Sequence, residues 1–187
     1  MVVLAWGGDN PITLSSPTSA TYGDAKPWDT FATTQAVNIS GTEAVNLTAT
    51  LERIVSAVAV RSTDNRPESV THMRFTYSGG SRSFSPATGL ASEGNGFSTT
   101  FAYTSAAGGT TYTGGYLFLS SDEQPLDVTI ETLDSENGNV LFSKTVTGVP
   151  LRRNRITVLT GAIYSKTASA ASFQVNSDWL SDYGMTF

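Results

Sequence analysis

The chain is predicted to be an all-β antiparallel sandwich of about seven to nine short strands with little helix, and three observations lead there. Segments of alternating apolar and polar residues recur along its 187 residues, separated by clusters of Gly, Pro, Asn and Ser. Nowhere does an apolar i, i+3, i+4, i+7 pattern persist, so no long amphipathic helix is expected. Asn137-Gly138 supplies the strongest hairpin signal, because both residues tolerate the positive φ of a type I′ turn. A chain of this length buries a core without staples.

Three stretches are expected in order: residues 1–33, a strand remnant and irregular loop; 34–166, the sandwich; and 167–187, a C-terminal strand or tail. Met1 to Trp6 is apolar and runs into the turn residues Gly7-Gly8-Asp9-Asn10-Pro11. It has neither a basic n-region nor the length of an h-region, so it is not a secretory signal. It reads as the end of a strand that begins earlier, and the chain is expected to be a piece of a longer precursor. Residues 12–33 are rich in Ser, Thr, Pro and Gly and are expected to be irregular, anchored by Trp28 and Phe31.

Two strands are expected at Gln35 to Ser40 and Ala44 to Leu51, the second because Val45, Leu47, Ala49 and Leu51 alternate. From Ile54 onward the apolar parity changes, so a β-bulge at Glu52-Arg53 would let one long strand bend between two sheets. Val70 to Tyr77 alternates with Met73, Phe75 and Tyr77 on one face. Residues 78–96 look like a Gly/Ser loop with little to bury. Phe97 to Tyr103 and Tyr116 to Leu119 are expected strands flanking a loose loop at Ser105 to Thr113. Leu126, Val128 and Ile130 mark a half-buried strand, and Val140 to Val146 its return across the Asn-Gly turn.

That return delivers the chain to Gly148–Tyr164, GVPLRRNRITVLTGAIY, around which the rest is expected to be arranged. Pro150 lacks an amide proton and is expected just before a ladder rather than inside one. Ile156, Val158 and Ala162 share one face while Leu159 and Ile163 point the other way, so both faces of this strand should be covered. After a small polar linker, Phe173 and Val175 alternate with Gln174 and Asn176 ahead of Trp179. Such a spare segment can fold back as an edge strand or add to another molecule's sheet.

Composition narrows the function classes. There are no cysteines, which excludes disulfides and thiolate metal sites. Only 14% of residues are charged and the net charge is -5, so a nucleic-acid partner, which needs a basic face, is not expected. The single basic clump, Arg152, Arg153 and Arg155 around Asn154, reads as solvated or paired with carboxylates. No apolar run approaches the ~20 residues of a membrane-spanning helix.

Chemistry is thin, and no catalytic, cofactor-binding or metal-ligating set is assigned. His72 is the only histidine and sits in a strand without a second His or any Cys, which disfavours Ser-His-Asp catalysis and zinc ligation. Asp134, Glu136, Asn137 and Asn139 could crowd oxygens around calcium, but a hairpin turn explains the same residues. Asp127 and Glu131 share a strand face roughly 13 Å apart, a poor spacing for glycoside hydrolysis. An aromatic sugar platform from Tyr103, Tyr112, Tyr116 and Trp28 is weighed against ordinary packing of the same rings. The chain is therefore read as a non-enzyme without cofactors.

Three patches carry a family resemblance: VVLAWGG at the start, LERIVSAVAVRSTD in the middle, and VPLRRNRITVLTGAIYS followed by SFQVNSDW at the end. Together they resemble the fimbrillin family of Bacteroidales, the type V pilins with their anchor and tip subunits. The most specific part is Arg153-Asn154-Arg155-Ile156-Thr157 through Gly161. The resemblance implies a transthyretin-like sandwich, export as a lipoprotein precursor, and a place at the outer membrane or in a fimbrium. It further implies assembly with other fimbrial subunits by β-strand exchange, with a host or bacterial surface receptor as a further candidate partner. The family's signal and lipidated cysteine are absent from this chain. Phe173, Val175 and Trp179 are the candidate strand-exchange segment. The alternative reading is a secreted carbohydrate-binding sandwich module.

Overall fold

The computed structural model describes residues 1–38, 41, 44–104, 112–165 and 174–176, and among these it contains strands and no helix. In chain order the strands are β1 (Val2–Trp6), β2 (Thr13–Ser16), β3 (Ser19–Thr21), β4 (Thr30–Thr34), β5 (Glu52–Arg53), β6 (Ser56–Ser62), β7 (His72–Tyr77) and β8 (Ser83–Ser85). They continue with β9 (Leu90–Ala91), β10 (Phe97–Ala102), β11 (Tyr112–Leu117), β12 (Glu123–Leu133), β13 (Val140–Arg152), β14 (Ile156–Gly161) and β15 (Gln174–Asn176).

Two four-stranded sheets, ordered β10-β7-β12-β13 and β11-β6-β14-β15, form the sandwich. Their eight strands fall within the expected number. Period-two burial explains how they pack: Met73, Phe75 and Tyr77 on β7 and Leu126, Val128 and Ile130 on β12 face Val58 and Val60 on β6 and Leu159 on β14, all buried in one cluster. Phe75 meets Phe101 edge-on with ring centroids 6.0 Å apart. Pairing is antiparallel except for β6 and β14, which run parallel from Ile156↔Ala57 to Gly161↔Ser62. Strand periodicity carries no information on direction, so the antiparallel expectation missed this pair.

The other strands lie outside those two sheets and correct several expectations. Residues 12–33 are not irregular. β2 and β3 form a hairpin, β3 pairs with β8, and β4 pairs with both β1 and β5. The boundary expected at residue 33 falls inside β4. Residues 78–96 are not an empty loop either, since β8 and β9 pair there and Phe84 on β8 is fully buried. A second core gathers Ala20, Tyr22, Ala32, Ile54, Val55, Phe84 and Phe118, joining the N-terminal strands to the sandwich. Phe84 and Phe118 stack there with centroids 4.0 Å apart.

Ala44 to Leu51 alternates but makes no ladder; its residues through Thr50 are exposed, with Val45 at 48% and Leu47 at 42%. Gln35 to Asn38 is likewise outside any strand, and Ile39 and Ser40 lie outside the described residues. Alternation gives only the capacity for a strand, and neither segment's described residues pair in a ladder. The bend between sheets is present, but through Ile54-Val55: β5 belongs to the β1-β4-β5 sheet and β6 to the sandwich. Both bend residues are buried, so no bulge is needed to restore the pattern.

The hairpin at Asn137-Gly138 forms, but not as a type I′ turn, since neither residue has a positive φ. Asp134 organises the loop instead, accepting from the Asn139 amide at 2.9 Å and from Asn139 Nδ2 at 3.0 Å. These hydrogen bonds, the Asn139 side chain first, hold the Asp134 carboxyl below its ordinary range. A Cβ on Gly138 would come within 1.8 Å of Asp134 Oδ1, so this glycine serves close approach rather than left-handed backbone.

Pro150 is inside the ladder, opposite Pro125. β13 is the sheet's edge, and a proline there turns its missing donor outward. One bulge lies between Leu126 and Val128, where Gly148 takes a φ of 63° and its amide donates to Asp127 Oδ1 at 2.8 Å.

Candidate functional site

The spare C-terminal segment returns to its own sandwich. β15 pairs antiparallel with β14 through Val158↔Asn176, Leu159↔Val175 and Thr160↔Gln174. Val175 is thus placed on the outer edge of the strand that the sequence puts at the centre, while Phe173 and Trp179 lie outside the described residues. β14 itself is buried on both faces, with Thr157 1% exposed and Leu159 fully buried. On its inner edge β6 matches all six residues from Ile156 to Gly161, and on its outer edge the described residues of β15 match Val158 to Thr160.

The chain leaves this edge from a fixed point. Thr63 donates its amide to the Gly161 carbonyl at 3.0 Å, and the Ile163 and Tyr164 amides donate to Asp64 Oδ1 and Oδ2, each at 2.8 Å. Ser62 Oγ adds a third hydrogen bond to Asp64 Oδ1 at 2.6 Å. Beside this clamp the Tyr164 and Tyr103 hydroxyls lie 3.1 Å apart, and the Arg66 guanidinium sits 4.5 Å from the Tyr103 ring. Burial, with the Tyr164 hydroxyl next, pushes the Tyr103 phenol well above the usual tyrosine range. Tyr103 is half-buried and packs against the main core. Tyr116 is half-buried against the second core, Trp28 is 40% exposed, and the Tyr112 side chain lies outside the described residues. Of the rings weighed as a sugar platform, Tyr103 and Tyr116 pack against different cores, in line with the ordinary packing weighed beside it.

The other residues weighed for chemistry each have a local partner. His72 Nδ1 lies 2.7 Å from Thr71 Oγ1. Glu131 pairs with Arg74 at 2.8 Å, and Asp127 holds the Gly148 bulge. At the opposite end of β14, Arg152 pairs with Glu123 at 3.2 Å and Arg153 with Asp122 at 2.9 Å, as the composition suggested. Both carboxylates are about 70% exposed, so these pairs orient the arginines more than they stabilise the fold. A further arginine joins them from β5: Arg53 makes a two-pronged pair with Asp29, lies 4.8 Å over the Phe31 ring, and donates from Nη1 to Asn154 Oδ1 at 3.3 Å. Nothing in the sequence links Arg53 to this corner, because only the β5–β6 bend brings it there.

Comparison with family models matches residues 10–183. The chain belongs to a family of unknown function, DUF6562. A comparison with curated proteins finds no match. Among solved structures the DUF6562 chain is similar to a presumptive adhesin from Bacteroides ovatus ATCC 8483, with a TM-score of 0.51 and 13% identity over 78% of this chain. It spans 63% of that neighbour's length. A presumptive cell adhesion protein from the same strain has a TM-score of 0.44 and 14% identity, over 71% of this chain and 48% of its own. At such identities the first likeness shows a shared fold, and the second carries no argument. No helix among the described residues of the DUF6562 chain is long and apolar enough to cross a membrane.

Proposed function

We propose that this DUF6562 chain is a structural subunit or an anchor or tip component of a fimbrillin-like surface fibre. In this reading it supports adhesion and catalyses no reaction. Its place is the outer surface of the cell, its partners are other subunits, and contact is made by adding a strand to the outer edge of β14. The single observation that carries this reading is what occupies that edge: β15, a segment of the chain's own tail, pairs there with Val158 to Thr160. β15 then acts as a placeholder that the same segment of another subunit replaces, exchanging ladder hydrogen bonds within the chain for equivalent ones between chains. The resemblance of Arg153 through Gly161 to fimbrillin sequences supports the same reading, as does the adhesin description of the first structural neighbour.

Removing residues 168–187 tests it. The account expects the shortened chain to lose stability through the uncovered β14 edge and to fail to enter surface fibres. If both stability and incorporation are unchanged, the tail has no part in assembly and the reading falls.

A further inference from the structure

We propose that the arginine corner beside β14 is a binding site for an acidic saccharide, one whose sugar ring bears a carboxylate. The corner lines an open cleft of about 580 Å³, within the range of small-ligand sites and roomy enough for one or two sugar rings. Its wall carries Arg53, Arg152, Arg153 and Arg155, four of the 11 lysines and arginines in a chain of net charge -5. Two carboxylates, Glu52 and Asp122, share the wall. Arg53, Arg152 and Arg153 each pair with a carboxylate, which leaves Arg155 as the guanidinium of the corner without one among the described residues.

The corner is also preorganised. Arg53 is held by Asp29 on both prongs and by Phe31 beneath it. Arg153 is held by Asp122 and by donation from Nη1 to the Thr88 carbonyl at 3.0 Å. The loop backbone is tied down as well, through Arg153 N to the Asp122 carbonyl and Asn154 N to the Val55 carbonyl, both 2.9 Å. Asn154 takes a φ of 58°, the only positive value at a non-glycine among the described residues. Groups fixed before binding lose little entropy when a ligand arrives. Arg155, exposed and without a carboxylate partner among the described residues, is the fork left to receive an anion.

The mixed wall selects the ligand class. Glu52 and Asp122 would repel a phosphate dianion or a nucleic-acid backbone, but they accept hydrogen bonds from sugar hydroxyls while a guanidinium takes the ring carboxylate. A peptide strand would need a ladder edge at the cleft, and β5 there offers only two residues.

Calorimetric titration of the whole chain tests the proposal, with digalacturonic acid, its methyl ester, sialyllactose and lactose as probes. Saturable binding is expected for the acids and not for the ester or lactose. Arg155→Glu should weaken it about 10- to 100-fold, the range for loss of a charge-assisted hydrogen bond, and Arg155→Lys should fall between. Arg155 is exposed and has no carboxylate partner among the described residues, so both variants should melt like the parent, which keeps the readout free of folding effects. Pectate against free digalacturonic acid separates a polymer from a small-sugar source. Absence of binding by every acid at millimolar concentration overturns the proposal. Equal binding of acid and ester, or insensitivity to Arg155→Glu, overturns it too. Arg155-dependent binding of an acidic peptide in place of sugars would make the corner a protein interface instead.

Discussion

Phe118→Ala is expected to lower the unfolding free energy by about 3–5 kcal/mol, the range for emptying a buried aromatic site. Phe118 is fully buried, stacks 4.0 Å from Phe84 and lies 6.3 Å from Tyr22, and its backbone exchanges hydrogen bonds with Ser81 at 3.0 and 3.1 Å. It is the point where β11 of the sandwich meets the N-terminal strands. Loss of the ring opens a cavity between two units that are already tied by the same backbone bridge, so they collapse onto it only partly. Urea denaturation reads the loss, and amide exchange should rise most in β2, β3 and β8. A change below about 1 kcal/mol would mean that the second core does not hold the N-terminal strands in place.

Asp64→Ala is expected to cost about 2–4 kcal/mol, because the Ile163 and Tyr164 amides lose a charged acceptor and Ser62 Oγ loses a partner. Its effect should be local as well as global. The clamp fixes where the chain leaves β14, so amide protection in Ile163, Tyr164 and β15 should fall before that of β7 or β12. Asp64→Asn keeps one acceptor oxygen and should cost less. Equal loss of protection across the sandwich would place Asp64 in the core's general stability rather than at the tail's exit.

Those two sites show what the sequence could and could not reveal. β7 and β12 were legible because six to eleven residues alternate cleanly and bury one face. β14 was legible from its β-branched run, and its burial on both faces followed. Phe84 was not, because β8 is three residues long and owes its conformation to β3 and β9 rather than to its own pattern. The converse error is Ala44 to Leu51, which alternates well and has no ladder, since alternation describes a capacity and pairing needs an edge. Asn137-Gly138 located the hairpin but not its geometry, because the Asp134 side chain outweighs the backbone preference of the pair. The candidate assembly edge was half legible: Val175 sits opposite Leu159, in the strand singled out beforehand, while the register between the two strands depends on pairing alone. The arginine corner was legible only from Arg152 to Arg155; Arg53 and Asp29 reach it through the fold.

The most direct measurement of assembly at β14 uses the absence of native cysteine. Thr160 and Gln174 are ladder partners, so cysteines at both positions would stand about 4.5–5.5 Å apart at Cα, a distance that a disulfide spans. In the isolated chain Thr160→Cys and Gln174→Cys should join within one molecule. Recovered from fibres on the cell surface and oxidised, the same double variant should run as a ladder of covalently linked multimers, because the thiol introduced on β14 would face the strand of a neighbour. Surface material in which every disulfide closes within a single chain would contradict strand exchange at β14.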